Sequence, residues 1–158
     1  PDVVHNIGTG KLTMFTRYAW NGGAGNYQTA ISLPNNAELG IYIPFQSGNL
    51  VFAGDSAPGN GYYCYDTAIV ANEVANFAMT FQGSGAAGVV GYKNGVKDVA
   101  TGISTYAEGG TKGVQIFWGQ GGEYSYGSMY LAMVWNRDLS DAENISLGTN
   151  PYQFLKPA

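Results

Sequence analysis

The sequence predicts an all-β, two-sheet antiparallel sandwich with one short helix near its C-terminal end. Three observations carry that expectation. Glycine fills 24 of 158 positions, about twice its ordinary usage. The glycines show no triplet period, which excludes a collagen-like repeat, and they punctuate short apolar runs as tight turns do. Those runs have strand length, and several alternate with period two, the mark of a strand with one buried face. Finally, a single helix-start signature, Ser140-Asp141-Ala142-Glu143, follows the last apolar run. No shift in composition divides the chain, so residues 1–158 are read as one domain.

Taken in order, the expected strands are Leu12 to Tyr18, Gln28 to Leu33, Leu39 to Phe45, Asn49 to Ala53, Asn76 to Gln82, Val89 to Lys93, Val114 to Trp118 and Met129 to Trp135. Phe77, Met79 and Phe81 fall on one face, and Ala78, Thr80 and Gln82 on the other; Ile41, Ile43 and Phe45, and Val114, Ile116 and Trp118, alternate likewise. Turn residues separate the runs at Asn21-Gly22-Gly23, Pro34-Asn35-Asn36, Ser47-Gly48-Asn49, Asn94-Gly95 and Gly109-Gly110. Asn94-Gly95 is the clearest hairpin, since both central positions of its turn need positive φ. Met129 to Trp135 is apolar at nearly every position, which predicts a strand covered on both faces at a sheet centre. In the helix, the Ser140 hydroxyl accepts a helix-start amide while Glu143 reaches back. About two turns are expected, ending by Gly148, with Asn150-Pro151 forbidding continuation.

Charge narrows the function. Charged residues make up 11% of the chain, against roughly 25% in an average soluble domain. The surface is therefore built mainly from neutral amides, hydroxyls and glycine, which suits adhesion or assembly. The net charge is −4, and the seven basic residues (Lys11, Arg17, Lys93, Lys97, Lys112, Arg137, Lys156) do not cluster. Nucleic acid and anionic membrane surfaces both require a basic footprint and are excluded as partners. Cys64 is the only cysteine, so no intramolecular disulfide or thiolate zinc cluster can form. No stretch resembles a signal peptide or a spanning helix. The start at Pro1 is compatible with removal of an initiator methionine from a cytosolic product, and equally with a fragment of something longer.

The run Leu131-Ala-Met-Val-Trp-Asn-Arg-Asp-Leu-Ser-Asp-Ala-Glu-Asn-Ile-Ser-Leu147 resembles the closing strand and helix of laminin-G-like, concanavalin-type jelly-roll domains. Those domains end in an apolar strand followed by Asn-Arg-x-Leu-Ser-x-x-Glu. Asn76-Phe-Ala-Met-Thr-Phe81 looks like the family's central strand, and Gly91-Tyr-Lys-Asn-Gly-Val96 like its Tyr-x-Asn-Gly hairpin. The tail Asn150-Pro-Tyr-Gln-Phe-Leu-Lys-Pro157 is similar to the versions carried by bacteriophages and bacteria, and the likeness extends over residues 10–157. It implies a two-sheet jelly roll and a range of roles: glycan binding, adhesion, virion components and accessory modules of larger enzymes. Fold does not choose among them.

Catalytic chemistry finds little support. Gly83-Ser-Gly85-Ala-Ala-Gly88 matches the dinucleotide fingerprint, but that fingerprint needs a following helix, and strand-like Val89 to Tyr92 comes next. The eleven acids are isolated apart from Asp138, Asp141 and Glu143 at the helix start, so no strand carries the carboxylate pair of a glucanase. His5, the single histidine, lies near the N-terminus, and Cys64 sits among tyrosines as an inert thiol. No cofactor is expected; Asp55, Asn60 and Asp66, read as one loop region, are the candidate calcium ligands. The binding candidates are aromatic: Trp20, Tyr27, Tyr62, Tyr63, Tyr65, Tyr124 and Tyr126, with Asp55 and Asp66 beside them. Tyr18 is grouped with these as a loop aromatic. Such rings offer an apolar face to the C–H face of a sugar, and serve protein interfaces equally well. Asn144-Ile145-Ser146 fits the N-glycosylation acceptor but falls inside the expected helix, and is read as chance.

The reading is a non-catalytic, lectin-like module on the virion surface of a tailed bacteriophage, or extracellular, that binds surface glycans. The alternative is a structural capsid decoration or fibre protein acting through contacts with virion proteins or further copies of itself. An enzyme is expected only if the chain is part of a longer hydrolase.

Overall fold

The computed structural model describes residues 4–6, 11–23, 28–33, 39–45, 49–54, 62–82, 89–97, 111–117 and 125–153; for 4–6, 39, 44–45, 49–54, 62–68 and 111–113 it describes the backbone. The strands are β1 (Val4–Asn6), β2 (Leu12–Trp20), β3 (Thr29–Leu33), β4 (Leu39–Phe45), β5 (Asn49–Gly54), β6 (Tyr62–Ala68), β7 (Val74–Phe81), β8 (Val89–Lys93), β9 (Val96–Lys97), β10 (Thr111–Gly113), β11 (Gln115–Ile116) and β12 (Gly127–Trp135), followed by helix α1 (Asp141–Thr149). Two five-stranded antiparallel sheets face each other, ordered β11-β3-β4-β5-β6 and β12-β2-β7-β8-β9, with a β1-β10 ribbon beside them.

The main core lies between the sheets. Leu12, Met14 and Tyr18 of β2 meet Ile31, Leu33, Ile41 and Ile43 of the facing sheet, with Phe77, Met79 and Phe81 of β7 alongside. A second, smaller core lies on the opposite face of the β2/β7 sheet, where Phe15, Ala78 and Tyr92 are covered by Leu139 and Leu147 from the α1 segment. Period two in β7 thus does not separate a buried face from a solvated one: Ala75 through Phe81 are all buried, because α1 roofs the outer face.

The same roof explains β12. Its two faces both pack, Met129, Ala132 and Val134 toward the main core and Leu131, Met133 and Trp135 toward the helix-side core. It nevertheless ends its sheet, and the centre is β7. Continuous apolar sequence reports coverage of both faces, which an edge strand can have when a helix layer lies above it. A bulge between Met129 and Leu131 sets the alternation of faces and leaves Tyr130 exposed.

Three further expectations are corrected. Tyr62–Ala68, read as loop, is strand β6, paired with β5 from Val51↔Cys64 to Ala53↔Tyr62. Aromatic residues favour the pleated surface, and this outweighed the flanking glycines. The run from Val114 is not one strand: β10 and β11 are separated at Val114, and Phe117 (φ 62°) turns the chain away. Ile116 is consequently 46% exposed instead of sharing a buried face; Trp118 lies outside the described residues. The short strand β1, which holds His5, was not expected at all.

The helix start is as the sequence predicts. Ser140 caps α1 and both halves of the capping box are present. Asn94 and Gly95 both take positive φ (51° and 78°) in the β8-β9 hairpin. This hairpin is also where the helix docks: a Cβ on Gly148 would collide with the Gly95 backbone nitrogen. Asn144 is fully buried, with its Nδ2 donating to Thr80 Oγ1 (3.0 Å) and to the Leu139 and Ser140 carbonyls. An asparagine so placed is no glycosylation acceptor in the folded chain. The glycine-rich segment 83–88 lies outside the described residues and joins β7 to β8, which pair antiparallel at Phe81↔Val89.

Candidate functional site

At one end of the sandwich, three connections converge. Strand β2 runs out at Trp20 into Asn21-Gly22-Gly23, the turn 70–73 leads into β7, and Ser125-Tyr126 leads into β12. Backbone hydrogen bonds tie them: Asn21 N donates to the Tyr126 carbonyl (2.9 Å), and Asn72 N to the Trp20 carbonyl (2.6 Å). Gln28 fastens the same place from β3's start, donating through Nε2 to the Gly23 carbonyl and accepting from Tyr126 N through Oε1, both at 3.0 Å. Its side chain is fully buried, so a neutral amide does here what a loop of this shape otherwise needs water to do.

Tyr126 is the outward element of this rim, 56% exposed. Its ring base is held from one side: a Cβ on Gly23 would come within 2.7 Å of Tyr126 Cγ, so only glycine lets the backbone rest there. Asn21, bonded through its backbone N to the Tyr126 carbonyl, and Asn72, tied to Trp20 from the other side of β2, are both exposed at this end of the sandwich. Asn72 takes φ 67°, a conformation asparagine tolerates better than most residues. Beneath the rim, Tyr18 is completely buried and hydrogen-bonds Ser125 through its hydroxyl, while its ring meets Phe117 at 5.9 Å. Burial raises the Tyr18 hydroxyl's pKa, and the Ser125 hydrogen bond opposes that rise in part. The hydroxyl therefore stays a neutral anchor for the 125–127 segment.

Of the residues singled out from sequence, the structure brings Trp20 and Tyr126 to this rim. Trp20 is half-buried and packs on the main core, with no described residue accepting from its buried indole Nε1. Tyr18 belongs to strand β2 and the core instead of a loop. Tyr62, Tyr63, Tyr65 and Asp66 lie on strand β6 at the far edge of the other sheet, again not in a loop. Of the calcium candidates Asp55, Asn60 and Asp66, read as one loop region, Asp66 is in strand β6, and Asp55 and Asn60 lie outside the described residues. Tyr27 and Tyr124 also lie outside them. Asn21, Gln28 and Asn72 were missed as site residues. Asn21 stood in a turn motif, but Gln28 and Asn72 carried no local signal.

The carboxylates whose side chains are described are all in ion pairs, three of them at the helix start and Glu73 at the rim's own turn. Lys11 pairs with Asp138 (2.7 Å), Lys97 with Asp141 (2.7 Å), Lys93 with Glu73 (3.1 Å), and Arg137 forks onto both oxygens of Glu143 (2.6 and 3.0 Å). Arg137, with the Ser140 amide and hydroxyl, lowers the Glu143 carboxyl to about 2; Lys97 and Tyr92 lower Asp141, and Lys11 lowers Asp138. A catalytic general acid needs the opposite displacement. Among the described residues no group of three His, Cys, Asp or Glu side chains is placed to hold a metal ion.

The sequence matches no family model and no curated protein. Solved structures do share its fold. A heptameric SAP-like pentraxin from Limulus polyphemus superposes with a TM-score of 0.64 at 17% identity, over 94% of this chain and 76% of that one. A sialidase from Trypanosoma rangeli in complex with the inhibitor DANA gives 0.68 at 11% identity, over 92% of this chain and 23% of the sialidase. A mutant of NanB sialidase from Streptococcus pneumoniae gives 0.64 at 13% identity, over 90% and 26%. The chain thus spans about a quarter of the length of these sialidases. At such identities the likeness is one of fold: a two-sheet, concanavalin-like antiparallel jelly roll with one short helix.

Proposed function

We propose that this chain is a non-catalytic, lectin-like binding module of the laminin-G-like kind, carried on a bacteriophage virion and contacting surface glycans through the Tyr126 rim. The observation that carries the reading is the exposed Tyr126 ring, seated on Gly23 at an end of the sandwich where Asn21 and Asn72 are exposed on neighbouring turns. A ring face for sugar C–H groups, with exposed amides on the same rim for hydroxyls, suits a saccharide. The jelly roll itself is compatible with the reading. A glycan array probed with the wild type and with Tyr126→Ala tests it: binding by the wild type and its loss in the variant are expected. No binding above background, with or without calcium, would sink it.

A structural role through contacts between copies of the chain is the second reading, and β12 favours it. This nine-residue strand carries no charge, and among the described residues nothing pairs with its outer edge. Tyr130 is 53% exposed on it, and an apolar cavity of about 180 Å³ opens alongside, lined by Ile31, Val114, Ile116, Ala132, Met133 and Val134. Uncharged edges of this length are templates for strand pairing. Sedimentation of the wild type beside Ile116→Glu would show self-association weakened by the charge if this surface assembles; a strictly monomeric wild type would remove the idea.

A further inference from the structure

Building on the glycan-binding reading, we infer that the ligand of the Tyr126 rim is a neutral saccharide, without carboxylate, sulfate or phosphate. Recognition of a sialic or uronic acid needs a fixed cation, and the planar fork of arginine meets a carboxylate best. The chain has two arginines, and both are committed on the helix-side face. Arg137 forks onto Glu143. Arg17 Nη1 donates to Asn76 Oδ1 (3.0 Å), and its guanidinium sits 5.8 Å from the centroid of the Tyr152 ring. Asn76 is itself locked there, its Nδ2 donating to the Gly148 carbonyl (2.8 Å) and its backbone N to Asn94 Oδ1 (2.9 Å). Arg17 therefore cannot swing to the rim without giving up its hydrogen bond to Asn76 and its place over the Tyr152 ring.

The lysines lead the same way. Lys11 and Lys97 pair with Asp138 and Asp141 around α1. Lys93 alone reaches toward the rim's turn, and there it meets Glu73, the neighbour of Asn72, with the lysine the more buried partner. The backbone of Lys112 pairs with His5 in the β1-β10 ribbon, and Lys156 lies outside the described residues. Among the described residues the rim thus offers neutral amides, backbone and a phenol, beside a carboxylate, on a chain of net charge −4. Such a field repels an anionic sugar before contact, while ring stacking and amide hydrogen bonds serve hydroxyls unaided.

Matched pairs of glycans on the full chain test this. N-acetyllactosamine and its sialylated derivative, and a glucose oligomer and its glucuronate-containing counterpart, are titrated at low and high salt. The neutral member should bind, its anionic counterpart about tenfold or more weaker, and the neutral affinity should not move with salt, since no charge pair is being screened. Asn21→Lys supplies the missing cation on an exposed residue and should raise binding of the sialylated form several-fold. Tighter binding of an anionic glycan by the wild type, or an affinity that falls steeply with salt, would overturn the inference yet leave glycan binding standing. Discrimination unchanged in Asn21→Lys would remove charge as its cause. Failure of every glycan to bind would instead topple the proposed function, and this inference with it.

Discussion

The helix-side face and the Tyr126 rim hold similar polar residues and use them in opposite ways. Under α1, Asn144, Asn76, Thr13 and Thr80 are buried and bonded to one another or to backbone; Thr13 Oγ1, for instance, accepts from Leu139 N (2.9 Å) and meets Thr80 Oγ1 at 3.1 Å. The charges around them are closed into ion pairs. At the rim, the buried amide of Gln28 is spent on holding backbone, whereas Asn21, Asn72 and Tyr126 face solvent. Polar side chains that satisfy each other specify structure; those left to water are the ones a ligand can reach.

That contrast should be visible in stability first. Leu147→Ala empties the middle of the helix-side core and should cost about 2–5 kcal/mol, read as a shift of the urea midpoint. Tyr126→Ala, a larger truncation at the rim, should stay within about 0.5 kcal/mol of wild type while abolishing glycan binding. A rim variant that unfolds the chain, or a helix-side variant that leaves it untouched, would break the comparison. Asn144→Ala sharpens it, because the deleted amide takes a buried donor from the Thr80 hydroxyl and the Leu139 carbonyl, while the Ser140 carbonyl keeps the backbone N–H of residue 144. A loss of about 1–3 kcal/mol is expected by the same measurement. Asn72→Ala, at the rim, removes no described side-chain hydrogen bond and should cost far less, mainly through its positive φ.

Much of this architecture was legible because its causes are local. Leu39–Phe45 alternates apolar residues between turn signals, Val89–Lys93 is a short apolar run that ends at Asn94-Gly95, and both form strands at those bounds. Ser140 and Glu143 satisfy helix-start groups whatever surrounds them. What could not be read depends on distant partners. The edge position of β12 is decided by which strands close the sheet, not by its own side chains. The rim is hidden for the same reason: Trp20, Asn72 and Tyr126 come from three separate segments joined by backbone hydrogen bonds, which leave no mark on side-chain pattern. The tyrosines of β6 were misleading in the other direction, since clustering beside glycine resembles a binding loop until the pairing with β5 is seen.

The smallest expected effect concerns acid. Glu143 is held at about 2, below the ordinary 4.5, chiefly by the Arg137 guanidinium and then by the Ser140 amide. A carboxylate depressed in the folded state adds stability that is fully present above its unfolded value and disappears as pH falls through its folded one. The contribution should therefore fade between pH 4.5 and about 2. Glu143→Gln should give a melting temperature that falls less steeply than wild type across that window, with the two curves converging toward its lower end. The slope should not vanish, because Asp138 and Asp141 are lowered in the same direction by Lys11 and Lys97. Raising the salt concentration should shrink the difference, since this pair is solvent-exposed and screened. Glycan binding above pH 4.5 should be the same in wild type and Glu143→Gln, because the ion pairs belong to the helix-side face. An altered glycan affinity in this variant would join the two regions that the structure keeps apart.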